Sequence, residues 1–349
     1  MKRENLKVAI WGFGAMGSGM AKMILKKQGF EIVGVCDLNP NYLNKSMFTI
    51  LNMENPYNHD VIIKSNIDEV VQTKSCDIVL LATDSYTSKA FPKIIQLLEK
   101  QVNVISTAEE MAYPAAGESL LAKKMDEVAK ANNVTVLGTG INPGMMMDLL
   151  VVAMTGVMEE LNHIEVSRIN SLSPFGKTVM EEQGVGLSLH EFNEKMNQGK
   201  MAGHVGFLES VHMIAKGIGQ EIQSFEQGME PIITDIDRKS PYGFAAKGNV
   251  AGVGMSAKAK TNKNINIIMN HPQQIEPELA GVNTGDYITI KGTPEVNLSI
   301  TPEIDGGIGT IAICVNMIPH VINAKSGLKT MLDLPVPRAI MGDVRDMIE

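Results

Sequence analysis

The sequence predicts an α/β chain of two domains, the first a doubly wound parallel sheet and the second an α+β domain with a mixed or antiparallel sheet. Three observations predict it. Short apolar runs alternate with amphipathic stretches from the start of the chain, the pattern of strands and helices layered in a parallel sheet. A glycine-rich turn, Gly12-Phe13-Gly14-Ala15-Met16-Gly17, follows the first apolar run directly. The length, 349 residues, exceeds what one hydrophobic core organises and points to lobes of roughly 150 residues each.

Lys7-Val8-Ala9-Ile10-Trp11 reads as a buried parallel strand. After the turn, residues 18–27 form an amphipathic helix with Met20, Met23, Ile24 and Leu25 for its inner face. Residues 31–36 give a second strand that ends at Asp37. Strand, glycine turn, helix, strand and acid fill the roughly 30 residues of a Rossmann dinucleotide-binding unit, with the acid about 20 residues beyond Gly17. In such a unit Gly12 permits the tight turn, Gly14 lets the backbone approach a pyrophosphate, and Gly17 lets the helix close on the strand. Phe13, Ala15 and Met16 complete the turn, and the helix N-terminus offers free N–H groups to the phosphates. Asp37 accepts hydrogen bonds from ribose hydroxyls and repels a 2′-phosphate, which favours NAD over NADP; Asn39 and Lys45 soften that preference. The competing reading, a bare turn with no ligand, leaves the acid and its spacing without a purpose.

Residues 76–83 form the next buried strand, and Thr83 at its end is a candidate for the cofactor's ribose, because ligands bind beyond the carboxyl ends of such strands. Helix at 91–100, strand at 103–106, helix at 119–132 and strand at 134–137 continue the alternation. The dinucleotide-binding domain therefore spans 1–142. A substrate-binding and dimerisation domain follows at 143–310, and a C-terminal helical segment, 311–349, returns to the first domain.

Glu109 and Glu110 stand at the carboxyl end of the strand 103–106, where the fold opens its ligand crevice. A carboxylate partly desolvated there suits a general base whose pKa burial raises. Alternatively both acids begin a helix and interact with its dipole. The turn at 138–144 lets backbone come close to a ligand and serves as a hinge between lobes, with Asn142 facing the crevice.

In the second lobe, residues 164–170 alternate as a half-covered antiparallel strand, and 286–291 and 297–301 are strands joined by Gly292-Thr293-Pro294. The glycine-spotted stretches 184–186, 203–206 and 242–244 have the freedom to wrap over a ligand. His204, between glycines, has mobility and partial exposure available for a substrate contact, although a lone histidine is more often structural than catalytic. Arg168 either neutralises a substrate carboxylate or forms a surface ion pair. The apolar stretch 310–319 reads as a helix stopping near a proline, and it needs cover on most sides. The 24 methionines suit adaptable packing.

Composition narrows the function classes. The chain is 44% hydrophobic and 20% charged with a mean hydropathy of +0.02, an ordinary globular balance. A net charge of -8 opposes polyphosphate and anionic membranes, so nucleic acid is not an expected partner. The polar start, residues 1–6, leads into an apolar run too short for a signal peptide, and no stretch is long enough to span a bilayer. A cytoplasmic protein is expected. Cys36, Cys76 and Cys314 are too scattered for a disulfide framework or a zinc site, and no metal is expected.

The longer motifs are WGFGAMG at 11–17, STAEEMAYP at 106–114, GTGINPGMMMD at 138–148, GHVGFLES at 203–210 and VNMIPHV at 315–321. On these the sequence resembles the 2,4-diaminopentanoate dehydrogenases and native amine dehydrogenases, relatives of the dihydrodipicolinate reductase and homoserine dehydrogenase group, over nearly its whole length. The resemblance implies that NAD(P) takes hydride from the carbon bearing the 4-amino group of 2,4-diaminopentanoate. Water then opens the imine to 2-amino-4-oxopentanoate and ammonia, and the reverse is reductive amination of ketones such as 4-oxopentanoate. It also implies a catalytic carboxylate in the STAEE segment, Glu109 by position with Glu110 in reserve, to deprotonate ammonia or activate water and to stabilise an iminium. Asn142, Met145 and Met146 then line the pocket around the reacting carbon. Methionine at 145 replaces an aromatic residue common in relatives, which leaves open whether the substrate is the diamino acid or a simpler amine. The implied partners are an amine or ketone and ammonia; a homodimer through the second-lobe sheet is expected separately, because twofold association is the commonest arrangement of soluble oligomers.

Two other readings stand beside this one. A semialdehyde or cyclic-imine reductase shares the glycine fingerprint, although homoserine dehydrogenases carry a lysine in the segment that Glu109 and Glu110 occupy here. A non-enzymatic NAD sensor would instead show a large exposed apolar patch.

Overall fold

The computed structural model describes residues 4–201 and 203–349; the first three residues of the polar start lie outside them. The chain divides into two compact units, Met1–Met145 with Asp305–Glu349, and Met146–Ile304. The second division falls before residue 310 because the C-terminal helix starts at Gly306, where Asp305 caps it by accepting the N–H of Ile308 at 2.7 Å. Two glycines in the first turn, poor helix formers, hide that start from a sequence reading.

The first unit is built on β1 (Leu6–Trp11), β2 (Phe30–Cys36), β3 (Ile78–Leu81), β4 (Asn103–Ser106) and β5 (Thr135–Gly138), all parallel, with a last strand, Gly327–Lys329. Their order across the sheet is Gly327–Lys329, β5, β4, β3, β1, β2. From β1 the chain steps one way to β2 and the other way through β3, so the switch point lies between β1 and β3, where carboxyl ends open a crevice. The strands are mostly apolar because helices cover both faces, with polar residues such as Lys7, Glu31 and Asn103 near their amino ends. Ile94 and Leu97 of helix Thr87–Glu99 and Met125 and Ala129 of helix Ser119–Ala131 pack with Val79, Val104 and Val136. Helix Gly306–Asn316 meets the glycine-turn helix Ala15–Ile24, and a Cβ on Gly19 would lie 2.2 Å from Ile311 Cδ1. The apolar stretch expected as one helix at 310–319 is two, Gly306–Asn316 and Ile318–Ile322. Pro319 has no N–H for the carbonyl one turn back, which breaks the ladder there.

The second unit holds β6 (Glu160–Ser171), β7 (Ile222–Ile233), the small pair β8 (Arg238–Lys239) and β9 (Phe244–Ala245), β10 (Val250–Thr261), β11 (Asn266–Gln274), β12 (Gly285–Thr293) and β13 (Val296–Ile300). Its main sheet runs β13, β12, β6, β11, β10, β7 and is mixed: β6 and β11 are parallel, the other neighbours antiparallel. Alternate residues of β6, including Ile164 and Val166, turn to the core, where Val151, Phe192, Phe207, Val211 and Ile214 from helices cover them. Each such side chain contributes about 1.5–3 kcal/mol by leaving water. Among the described residues no helix is long and apolar enough to cross a membrane.

Candidate active site

The glycine turn at the end of β1 separates three requirements. Gly12 has φ +94°, and a Cβ there would lie 2.4 Å from the Ala82 carbonyl oxygen. A Cβ on Gly17 would lie 1.8 Å from the carbonyl oxygen of Gly12, so this glycine lets the helix close on the turn. A Cβ on Gly14 would meet nothing within 4 Å. The chain's own packing therefore demands the first and third glycines, while the second keeps open the space before the helix N-terminus. Gly14 supplies no side-chain cap, so the first-turn N–H groups stay available to an anion. Ala15 is exposed, Met16 half-buried, and Phe13 is buried edge-on to Tyr42 at 6.4 Å.

Asp37, just past β2, fastens this loop. One carboxylate oxygen accepts the N–H of Phe13 and the other accepts the N–H of Asn39 at 2.7 Å. Each oxygen retains a further lone pair for a ribose hydroxyl. Beyond β3, the Thr83 hydroxyl donates to Asp84 at 2.5 Å and accepts from Lys93 Nζ at 2.9 Å. Lys93 pairs with Asp84 at 2.7 Å and lies 5.9 Å from the centre of the Trp11 ring. Thr83 is thus the hydroxyl of a polar cluster at the switch point.

The two acids that follow β4 sit in a 3-10 turn, Glu109–Ala112, and point to different duties. A Cβ on Gly138 would lie 2.1 Å from the carbonyl oxygen of Met111, so only glycine lets β5 end against this turn. Glu110 accepts the N–H of Thr87 at 2.7 Å, and its own N–H donates to the Ser85 carbonyl at 3.2 Å. It thereby satisfies the open start of helix Thr87–Glu99, whose preceding residue, Tyr86, provides no side-chain cap. Glu109 is half-buried, and burial raises its carboxyl above the ordinary carboxylate range. The Glu110 charge pushes the same way, against hydrogen bonds from its own amide and the Ser85 hydroxyl. Glu110 is a cap for the neighbouring helix, while Glu109 is a carboxyl with heightened proton affinity. Nearby, the 138–144 turn is fixed by Ile141 N–H donating to Thr310 Oγ1 at 3.1 Å. Asn142 and Met145 are half-buried.

In the second unit Met146 is 2% exposed. Asp148, 0% exposed, caps helix Leu149–Thr155 through the Leu149 N–H at 2.6 Å and accepts the Ser210 hydroxyl at 2.9 Å. Arg168 corrects its expectation: it forms neither a surface ion pair nor an open anion site. Its guanidinium is 3% exposed and bound to the Asp286 carboxylate and the Ile304 carbonyl. The cause is the β6–β12 register, which sets Arg168 opposite Asp286. His204 is partly exposed, as expected, and its ring packs against neighbours. Its ring lies edge-on to His271 at 4.8 Å, and Gly203 before it, φ +59°, is held against the sulfurs of Met255 and Met229. Burial, aided by the Arg168 charge, pushes His204 down to about 4. His271, whose Nδ1 is 2.7 Å from the Arg168 carbonyl, is pushed well below its ordinary value by burial first and His204 next. Both rings are neutral at neutral pH. The stretches 184–186 and 242–244 pack on each other, a Cβ at Gly186 falling 2.6 Å from the Phe244 carbonyl.

Residues 145–349 match the model of the 2,4-diaminopentanoate dehydrogenase C-terminal domain. The chain belongs to this family. Residues 6–113 match the dihydrodipicolinate reductase N-terminal model. The 2,4-diaminopentanoate dehydrogenase of Acetoanaerobium sticklandii is 57% identical over 346 residues, covering 99% of this chain and 98% of that one. An amine dehydrogenase from Mycobacterium smegmatis has the same fold, with a TM-score of 0.86 at 24% identity across 98% of this chain and 99% of the other. The myo-inositol dehydrogenase of Lactobacillus casei, solved with NAD(H) and myo-inositol, is similar at a TM-score of 0.52 and 11% identity, covering 86% of this chain and 75% of that one. This family member is an oxidoreductase of the dehydrogenase kind.

The sequence pointed to the glycine turn, Asp37, the polar strand end Thr83-Asp84-Ser85 and the acidic pair; it assigned no role to Asp84 or Ser85 and did not single out Lys93, His271 or the capping role of Asp148. An aspartate immediately before the apolar run 149–152 is a readable helix start. His271 has no such local signal, because its partner, the Arg168 carbonyl, is 103 residues away in the chain.

Proposed function

We propose that this family member binds NAD in its first unit and oxidatively deaminates the 4-position of 2,4-diaminopentanoate, giving 2-amino-4-oxopentanoate and ammonia. The observation that carries the reading is the divergence of the acidic pair: Glu110 is engaged by the Thr87 N–H, while Glu109 is half-buried with raised proton affinity beyond the carboxyl end of β4. The name of the 57% identical relative supports the substrate.

The cofactor fits the residues present. The open space before Gly14 and the uncapped helix start suit a pyrophosphate, and Asp37, held toward the turn by the Phe13 N–H, suits ribose hydroxyls and disfavours a 2′-phosphate. Phe13, Ala15 and Met16 form the rest of that cradle, with Thr83 and Asn142 as further cofactor contacts. NAD supplies the hydride acceptor. Glu109, ionised, takes the proton of the substrate ammonium, so that the nitrogen lone pair drives departure of hydride from the adjacent carbon. Glu109 then gives that proton up to solvent; ionised again, its negative charge steadies the iminium, and it accepts the proton of the water that adds there. A raised pKa brings this base nearer the working pH, which is where general-base efficiency is greatest. Asn142, Met145, Met146 and His204 are proposed as substrate contacts. Arg168 and Asp286 shape the second unit around His204 rather than touching substrate. The enzyme is read as a cytoplasmic homodimer, and light scattering that returned a mass near 37.9 kDa would contradict the dimer.

The test is NADH oxidation at high ammonia with 2-amino-4-oxopentanoate and 4-oxopentanoate in parallel, for native protein and Glu109→Gln. The reading expects turnover with the aminoketone, lost in the variant while NADH still binds. NADH binding without turnover on either ketone would overturn it.

A further inference from the structure

At the C-terminal part of the first unit lies a cleft of 460 Å³, lined by His320, Lys325, Lys329, Asp333, Arg338 and Glu349. It lies by the sheet-edge strand Gly327–Lys329, four strand positions from β1, so the two strands are about 19 Å apart at ordinary strand spacing. The cleft is of metabolite size. Its charges are unusual for a surface hollow. Lys325, Lys329 and Arg338 form no ion pair among the described residues. Asp333 is turned to its own loop, accepting the N–H and the hydroxyl of Thr330, each at 2.8 Å.

His320 is the second observation. It is 6% exposed, lines the cleft, and its Nε2 has no hydrogen-bond partner among the described residues. A buried polar nitrogen without a partner costs stability, so a site that keeps one has a use for it. Burial, with the Arg338 charge next, lowers its proton affinity, so the ring is neutral at neutral pH and offers a directional hydrogen bond rather than a charge. The floor of the cleft is held in shape: Asn323 donates to the Met347 carbonyl at 2.8 Å and accepts the Glu349 N–H at 3.1 Å.

We propose that this cleft is a binding site for a small polyvalent oxyanion, a phosphate or a di- or tricarboxylate, held by Lys325, Lys329 and Arg338 with His320 Nε2 as the orienting hydrogen-bond partner. Three cations against the Glu349 carboxylate and an Asp333 turned to its own loop leave the hollow an excess of positive charge that recognises anionic oxygens, and the neutral imidazole fixes which of them enters deepest. The cleft's lining includes no residue of the glycine turn or of the Glu109–Ala112 turn.

Isothermal calorimetry on the full chain, with saturating NADH to occupy the glycine turn, would titrate inorganic phosphate in one arm and citrate in the other. Three proteins are compared: native, Lys325→Ala/Lys329→Ala, and His320→Gln. Binding of either anion to native protein is expected, weakened roughly tenfold or more in the double variant and measurably in His320→Gln. Phosphate alone, citrate alone, or both would name the oxyanion class. Absence of binding at millimolar anion, or binding that neither variant alters, would overturn the proposal. Lys325 and Lys329 are exposed or half-buried, so the double variant folds, and its unchanged NADH affinity checks that.

Discussion

The carboxyl edge of the parallel sheet and the core of the second unit both hold charged groups, but they treat them differently. In the core of the second unit Arg168 and Asp286 are 3% and 4% exposed and fully engaged with each other and with the backbone. At the sheet edge Glu109 is half-buried and disfavoured as an ion by its surroundings. The first arrangement holds shape and the second stores reactivity. A carboxylate can therefore be valued by what its removal does: loss of fold in one place, loss of chemistry in the other.

The largest break should come from Asp286→Ala, which leaves the Arg168 guanidinium buried without a counter-charge. Urea denaturation is expected to show a loss of about 3–5 kcal/mol, with a smaller loss in Arg168→Met/Asp286→Leu, where both charges go. Equal losses would mean that the pair itself, rather than the orphaned charge, sets the cost. Next is Glu110→Ala, which removes the partner of the Thr87 N–H. About 0.5–2 kcal/mol of stability should go with it, the usual worth of a helix cap, and NADH affinity should persist. Glu109→Gln should have the opposite sign. Burial makes its charged form unfavourable in the folded state, so a neutral isostere should leave the melting temperature unchanged or higher even as turnover falls about 10²–10⁴-fold. A lowered melting temperature would place Glu109 with the structural acids. The smallest effect is spectroscopic: His204 should titrate near 4 by nitrogen NMR, and a midpoint near 6.5 would show that its ring is not packed as described.

The same contrast explains what could be read from the chain. The first unit was legible because its signals are local: an apolar run, three glycines and an acid within one βαβ unit. β4 at Asn103–Ser106 fell where the sequence put it, and the acidic pair was found by its position after that strand. Helix Thr87–Glu99 began a turn earlier than expected, because the group that satisfies its start, Glu110, comes from 23 residues away. In the second unit β7, β10 and β11 went unread. Gly228 and Pro231 interrupt β7, and Gly252 and Gly254 interrupt β10, so neither shows the β-branched alternation that marks a strand. Arg168 was misread for a related reason. Whether an arginine faces solvent or a buried aspartate is set by register with β12, 118 residues onward, and register leaves no trace in the arginine's own neighbourhood.

The central claim is that one acid of the pair, Glu109, is the proton acceptor. Its most direct test is the pH dependence of kcat/KM for amine oxidation in native protein, Glu109→Gln and Glu110→Gln. A general base must be ionised, so the rate should fall as pH drops through a midpoint above the ordinary carboxylate range. This acidic limb should persist in Glu110→Gln and vanish from the residual activity of Glu109→Gln. An unchanged limb in Glu109→Gln would contradict it.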